Sequence, residues 1–251
     1  MQTRGQTLDR SRLPRIAAID AARGVALIAM TMFHFGWDLE MFGFAERGFA
    51  THPAMVWFAR LIATSFLFLV GVSLVLAHES GFNRRGYLRR LAMVGGAALA
   101  ITTATWFATP DVYIFFGILH HIAVASIIGL IFLAFPWWVA ALAAMGVLLA
   151  REYGRTANLD GMAWWWTGLT ASTPRSTDFV PLFPFFAAVL AGIAAAKLAG
   201  RFGVWDRLAK WRGNRFPASV FIFLGRHSLA YYLIHQPVLI AVLFGLQWIT
   251  R

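Results

Sequence analysis

Arg23 and His34 stand in one apolar run, ARGVALIAMTMFH, with ten residues between them. Eleven helical steps of about 100° return to within about 20° of the start, with a rise of about 16 Å. One helix therefore carries both side chains on one face, far apart along its axis. Their chemistries are complementary. A guanidinium stays protonated and grips anions. An imidazole gives and takes protons near neutral pH. The run is long enough to cross a bilayer, where an ionisable residue is a functional-site hypothesis by default. Asp20 lies three residues before Arg23, on nearly the same face.

Further polar residues punctuate apolar segments. His52 precedes Pro53, Arg60 interrupts AMVWFARLIATSF, His120 and His121 are adjacent in FFGILHHIAVASII, and Asp178 precedes PLFPF. Ser228, Tyr231 and His235 recur at three- and four-residue intervals and share a helix face. Each has a structural alternative. Asp20 and Arg23 form an ion pair that anchors a helix. His34 satisfies a hydrogen bond at an interface. Arg60 clamps Asp38, Glu40 or Glu46. Adjacent His120 and His121 point about 100° apart, so at most one faces a shared site. His78 and His227 read as ordinary interfacial residues. Trp137, Trp138 and Trp164–Trp166 fit interfacial aromatic belts, with gripping of a sugar ring as the alternative for the second group. No two histidines stand four apart, the spacing of a helical zinc site, so no metal is expected.

The elements that position these residues follow from composition. Of 251 residues, 59% are hydrophobic and only 13% charged, against about 25% charged in soluble domains. That excludes a soluble core and predicts an all-α, polytopic integral membrane helix bundle. There is no cysteine, which excludes disulfides and thiol nucleophiles. Seven spans are expected, at 16–37, 54–77, 88–108, 112–135, 137–150, 181–198 and 219–248. A basic N-terminal segment, 1–15, precedes a single membrane domain, 16–251. The first apolar stretch is span-length and lacks a small-residue cleavage site, so it is not read as a signal peptide. Arginines 4, 10, 12 and 15, arginines 84, 85, 89 and 90, and the basic residues from Lys197 to Arg215 fall on one side, which the positive-inside rule assigns to the cytoplasm. The N-terminus is then cytoplasmic and the C-terminus outside. The net charge of +11 reads as topological and lipid-facing, so no nucleic-acid partner is expected. In this frame Asp20 and Arg23 lie toward the cytoplasm. His34, His52 and Arg60 lie toward the outside, His120 and His121 lie about 12 Å below the outer end of the fourth span, Asp178 caps the sixth, and His235 is mid-span in the seventh.

Four stretches resemble one family in order along the chain: IDAARGVALIAMTMFHFGWD, FFGILHHIAVASII, DFVPLFPFFAAVLAGIA and FLGRHSLAYYLIHQPVLI. They look like the membrane acyltransferases of the heparan-α-glucosaminide N-acetyltransferase catalytic-domain type, particularly the short bacterial relatives, and cover about residues 15–240. The first and last are also similar to the broader acyltransferase-3 families, in which an arginine, ten residues and a histidine mark the active helix. The resemblance implies transfer of an acyl group, usually acetyl, from cytosolic acyl-CoA to a sugar on the far side of a bacterial inner membrane. Arg23 matches the acyl-CoA side of the motif. His34 matches the catalytic histidine of the acyltransferase-3 pattern. The heparan-type enzymes have asparagine there and a histidine in the following outer loop, for which His52 is the counterpart at a different spacing.

The chemistry fits. Acyl transfer from a thioester needs a base for the acceptor and donors for a developing oxyanion. His34 or His52 supplies the first. Arg60, His120 or His121, and Tyr231 are candidates for the second, and His235 is a further catalytic candidate. Arg23, held by Asp20, suits the pyrophosphate of acetyl-CoA, and the 16 Å stripe is about the reach of a pantetheine arm. Asp178, Ser228, Tyr231 and Arg60 are expected to bind substrate, and the acceptor is a carbohydrate or lipid-linked sugar. One cavity lined by Arg23, His34, His120 or His121, and His235 is the structural expectation. The alternative is a transporter or proton-coupled permease with the same polar stripe. Membrane lipids surround either, with room for a homo-oligomer.

Overall fold

The computed structural model describes residues 15–79 and 81–250. Arg4, Arg10 and Arg12, on which the orientation partly rests, lie outside the described residues, as does the 1–15 segment apart from Arg15. Among the described residues nine α-helices follow in order: α1 (Ala17–Met41), α2 (Pro53–His78), α3 (Arg84–Ala108), α4 (Ile118–Leu133), α5 (Trp137–Tyr153), α6 (Leu182–Arg201), α7 (Val204–Lys210), α8 (Ala218–Arg226) and α9 (Ser228–Ile249). Long apolar runs fold this way because a helix satisfies its own backbone groups where water is absent. Sequence signals set the starts. Pro53 opens α2, the Asn83 side chain accepts from the Gly86 amide at 3.0 Å to cap α3, and Pro136 and Pro181 precede α5 and α6.

Helices α1, α2, α3, α6 and α9 are long and apolar enough to cross a membrane. The 16 residues of α4 and the 17 of α5 reach only about 24 and 26 Å, short of a hydrocarbon core of about 30 Å. Two expected spans need correction. The fourth begins at Ile118, not at Val112. A short 3-10 turn occupies Pro110–Val112, and the chain then passes beside 177–180 outside any helix, with Thr177 N–H donating to Val112 O at 3.0 Å and Val180 N–H to Phe116 O at 3.1 Å. The apolar YIFFG residues pack on tryptophans instead of opening a span: Phe115 on Trp165 and Phe116 on Trp166. The seventh divides at His227 into α8 and α9. The His227 amide is shared between the carbonyls of Phe223 and Leu224, and the turn tightens out of α-helical register there.

The core centres on α6, whose Val189, Leu190 and Ile193 are wholly buried among residues of α2, α4 and α5. Small residues permit the close seams. A Cβ at Gly71 would strike the Val189 carbonyl, and one at Gly192 the Phe68 carbonyl. The same reciprocity joins α1 to α8: Gly24 faces the Phe221 carbonyl and Gly225 the Asp20 carbonyl. Helix α9 then meets the remainder of α1, from Thr31 to Phe42. Helix α1 is thus partnered along its length by two successive elements, and its polar stripe is enclosed between them and α2.

Candidate functional site

The stripe on α1 reads Asp20, Arg23, Leu27, Thr31, His34, Asp38, at steps of three and four. At one end Asp20, 1% exposed, gathers three arginines. Arg15 Nε and Nη2 donate to its two oxygens at 2.6 and 3.1 Å, Arg23 Nη1 donates at 3.0 Å, and Arg226 Nε stands 3.6 Å away. Arg23 Nη2 also donates to Ser73 Oγ at 2.5 Å, tying α1 to α2. One carboxylate against three guanidiniums leaves local positive charge. Arg15 and Arg226 remain half-exposed, so this end offers bidentate donors to an incoming phosphate.

Midway, Thr31 Oγ1 donates to Leu27 O at 3.0 Å, so the Tyr231 hydroxyl 2.8 Å away donates to Thr31. Tyr231 stacks nearly parallel on His235, with centroids 6.1 Å apart. His235 faces His34 across the α1–α9 seam at 5.1 Å between centroids. A carbonyl only accepts, so His235 Nδ1–H donates to Tyr232 O at 2.7 Å. Its Nε2 then carries the lone pair, buried and with no partner among the described residues. One turn beyond His34, Gln236 Nε2 donates to Asp38 Oδ1 at 2.7 Å. Asp38 Oδ2 and Gln236 Oε1 are buried and unpartnered too. Three acceptor atoms in one small region therefore lack donors.

The other expected residues have different surroundings. His120 and His121 lie in the first turn of α4, not 12 Å down a span, because that helix starts at Ile118. The Gly117 amide donates to His120 Nδ1 at 3.2 Å, so His120 Nε2–H donates to Thr102 Oγ1 at 3.0 Å, and both ring nitrogens are committed. His121, wholly buried, donates from Nδ1 to Val180 O at 3.1 Å and keeps a bare Nε2. Neither histidine makes a ring contact or hydrogen bond with His34 or His235 among the described residues. The link runs through Tyr232, which packs on His235 and donates to Asp178 Oδ2 at 3.3 Å. Asp178 does not cap α6. Its carboxylate accepts from Ile118 N–H at 3.1 Å and so caps α4, and burial pushes that carboxyl above the usual carboxylate range.

Among the described residues Arg60 clamps no carboxylate. It is exposed over the Trp57 ring at 5.3 Å, while Asp38 is taken by Gln236 and Glu40 accepts from the Gly48 and Ala50 amides at 2.7 Å each. His52 is exposed and caps α2, its Nδ1 accepting from Ala54 N–H at 3.3 Å. Ser228 opens α9 on the Tyr231 face. In the tryptophan run, Trp165 and Trp166 donate to Asp160 O and Ala163 O and pack on phenylalanines, leaving Trp164 exposed. Among the described residues no three His, Asp or Glu side chains converge as a metal site requires.

The residues that sequence reasoning missed are Asp38, Gln236, Arg226 and Ser73. Asp38 had a signal, since it continues the His34 face at i+4. Arg226 and Ser73 had none, because both enter through the approach of other helices. The expected continuous cavity is not among the clefts at the Asp20 end, whose walls come from α2 to α7. The family model described as heparan-alpha-glucosaminide N-acetyltransferase, catalytic, matches residues 15–237. No curated protein and no solved structure matches the chain.

Proposed function

The chain belongs to the heparan-alpha-glucosaminide N-acetyltransferase catalytic family, and on that premise we propose that it moves an acetyl group from cytosolic acetyl-CoA to a sugar hydroxyl or amine on the outer side of a bacterial inner membrane. Membership makes it a membrane-bound transferase. The donor, the acceptor class and the sidedness are our reading. The observation that carries it is the α1 stripe, which joins an arginine-rich end to a histidine pair about 16 Å further along one helix face.

In this mechanism the pyrophosphate of acetyl-CoA docks on Arg23 and its half-exposed neighbours Arg15 and Arg226, with Asp20 holding them in register. The pantetheine arm follows the stripe past Thr31. The acceptor's hydroxyl or amine gives its proton to an imidazole of the His34–His235 pair as its lone pair attacks the thioester carbonyl. The C–S bond breaks, the acetyl group stays on the acceptor, and the imidazolium returns the proton to the thiolate. Tyr231 gives its hydroxyl proton to Thr31 and stacks on His235, so its part is to position the pair. His34 is preferred to His52 as base because the lone pair of His52 Nδ1 already accepts the Ala54 amide. Asp178 and Arg60 are acceptor-side candidates, and Ser228, two residues after Arg226, is a substrate-binding candidate on the donor side.

Acetyl-CoA turnover on a sugar acceptor in nanodiscs tests the reading, comparing wild type with Arg23→Ala, His34→Ala and His52→Ala. The expected result is wild-type turnover that falls in Arg23→Ala through KM and in His34→Ala through kcat. Well-folded wild type that neither binds nor consumes acetyl-CoA overturns it.

A further inference from the structure

A cavity of about 160 Å³ lies between α2, α3 and α4, lined by His78, Asn83, Tyr87, Arg90, Val94 and Ser126. Its mouth is open where Asn83 and Gly86 are exposed. A water-sized group needs about 10–15 Å³ on this measure, so there is room for about ten to sixteen heavy atoms. That suits one planar bicyclic base.

The walls have the right chemistry for such a guest. His78 stacks on Phe82 with centroids 5.0 Å apart and planes 20° from parallel, and Tyr87 lies 5.9 Å from His78 and 5.6 Å from Phe82. His78 Nδ1–H donates to Leu74 O at 2.7 Å and the Tyr87 hydroxyl donates to Ser126 O at 3.3 Å, so both rings are held as a fixed aromatic wall. Ring faces of this kind take any base by stacking. Arg90 lines the same cavity half-buried and makes no hydrogen bond or salt bridge among the described residues. A half-buried guanidinium with five unmatched donors calls for a phosphate. Arg84, Arg85 and Arg89 stand exposed on the same helix and add to the positive field at the mouth.

The cavity also adjoins the stripe. Ser73, which accepts from Arg23, directly precedes Leu74 on α2, and Ala77 lies one turn along the Ser73 face. A phosphate on Arg90 and a pyrophosphate on Arg23 are neighbours in one extended ligand. We propose that this cavity binds the nucleotide end of the acyl donor, a purine 3′-phosphonucleotide, with Arg90 on phosphate and the Tyr87–His78 pair against the base. The assignment rests on the acyl-transfer reading and adds to it which residues distinguish acyl-CoA from a shorter thioester.

The test compares two donors, acetyl-CoA and S-acetylpantetheine, which lacks the nucleotide, together with binding of adenosine 3′,5′-bisphosphate to the protein in phosphatidylcholine nanodiscs. Wild type prefers acetyl-CoA and binds the bisphosphate. Arg90→Gln and Tyr87→Ala reduce the preference, as the ratio of kcat/KM values, by about tenfold to a hundredfold, the worth of one charged hydrogen bond or one stacked base. Both weaken bisphosphate binding. Arg175→Ala, exposed in the loop before α6, keeps the ratio. A variant that loses both donors equally overturns the site, as does an unchanged ratio. If Arg90→Gln fails to fold, competition of the bisphosphate against acetyl-CoA on Tyr87→Ala decides in its place. Wild type that turns over acetyl-CoA but binds the bisphosphate independently of Arg90 removes the nucleotide site and leaves acyl transfer standing. Arg90-dependent bisphosphate binding without turnover keeps the site and removes acyl transfer. Arg90-dependent retention of phosphatidylglycerol that the bisphosphate does not displace makes the occupant a lipid headgroup and overturns the proposal.

Discussion

Asp20 and Asp38 stand on the same face of α1, five helical turns and about 27 Å apart, close to the thickness of a hydrocarbon core. Both are buried, at 1% and 0% exposure. Their company is opposite. Asp20 holds three arginines and has no oxygen left over. Asp38 has one amide on one oxygen, and it shares its surroundings with two more bare acceptors, Gln236 Oε1 and His235 Nε2. The first carboxylate organises the fold, because its charge is matched before any ligand arrives. The second region keeps hydrogen-bonding capacity that folding alone does not use, and unmatched buried polar atoms are costly. Stability should therefore concentrate at the arginine end and chemistry at the histidine end.

The largest effect tests the histidine end. His34→Ala and His235→Ala each lower acetyl-CoA turnover by about 10²–10⁴-fold, with thermal midpoints near wild type. His52→Ala keeps turnover close to wild type, since that ring caps α2 from an exposed position. If His52→Ala is instead the inactive variant, the base lies in the loop and the contrast between the two ends loses its chemical half. The next effect tests the arginine end. Asp20→Asn strips the counter-charge from Arg23, whose side chain is only 22% exposed, and should lower stability by about 3–5 kcal/mol, read as a fall in thermal midpoint in detergent. Asp38→Asn keeps an acceptor for Gln236 and adds a donor, so it should cost less than about 1 kcal/mol while reducing turnover. Equal destabilisation by the two substitutions would break the comparison outright.

What the sequence made legible follows the same division. The helical class, the membrane composition and most spans are direct consequences of hydropathy and length. Arg23 and His34 on one face is simple helical arithmetic, and the structure keeps it. Periodicity gives a residue's face but not its neighbour. Asp20 as partner of Arg23 was readable because both are on one helix. Arg226 and Ser73 were not, because they arrive from α8 and α2. The start of α4 was misread because YIFFG is apolar enough for a span, and only the tryptophan layer and the carboxylate of Asp178 show why it stays out of the helix. The division at His227 had no Pro to announce it, and Gly225, inside the last turn of α8, packs against the Asp20 carbonyl. His78, read as an ordinary interfacial residue, forms one wall of the α2–α4 cavity.

A smaller effect sharpens the arginine end. Gly225 has no room for a Cβ against the Asp20 carbonyl. Gly225→Ala should push α8 from α1 and lower stability by about 1–3 kcal/mol, without the loss of counter-charge that makes Asp20→Asn worse. Ordering the two by thermal midpoint separates packing from electrostatics at the same place.

The smallest effect belongs beside the histidine end, where Asp178 holds the first turn of α4 and the Tyr232 hydroxyl from a loop outside the spans. Burial raises its carboxyl above the ordinary value, and the Ile118 amide and Tyr232 hydroxyl pull it down without cancelling the rise. An acid whose native pKa is raised binds its proton more tightly folded than unfolded. Its contribution is complete below the unfolded value of about 4 and is lost as pH rises through the native value. Wild type should therefore lose thermal midpoint from acidic toward neutral pH relative to Asp178→Asn, whose amide oxygen still caps Ile118 and does not titrate. The sign of the difference in thermal midpoint between the two proteins across that range is the readout. A difference curve that instead rises with pH would mean that the two hydrogen bonds outweigh burial, making Asp178 a matched charge like Asp20, and the unmatched region would then stop at His235.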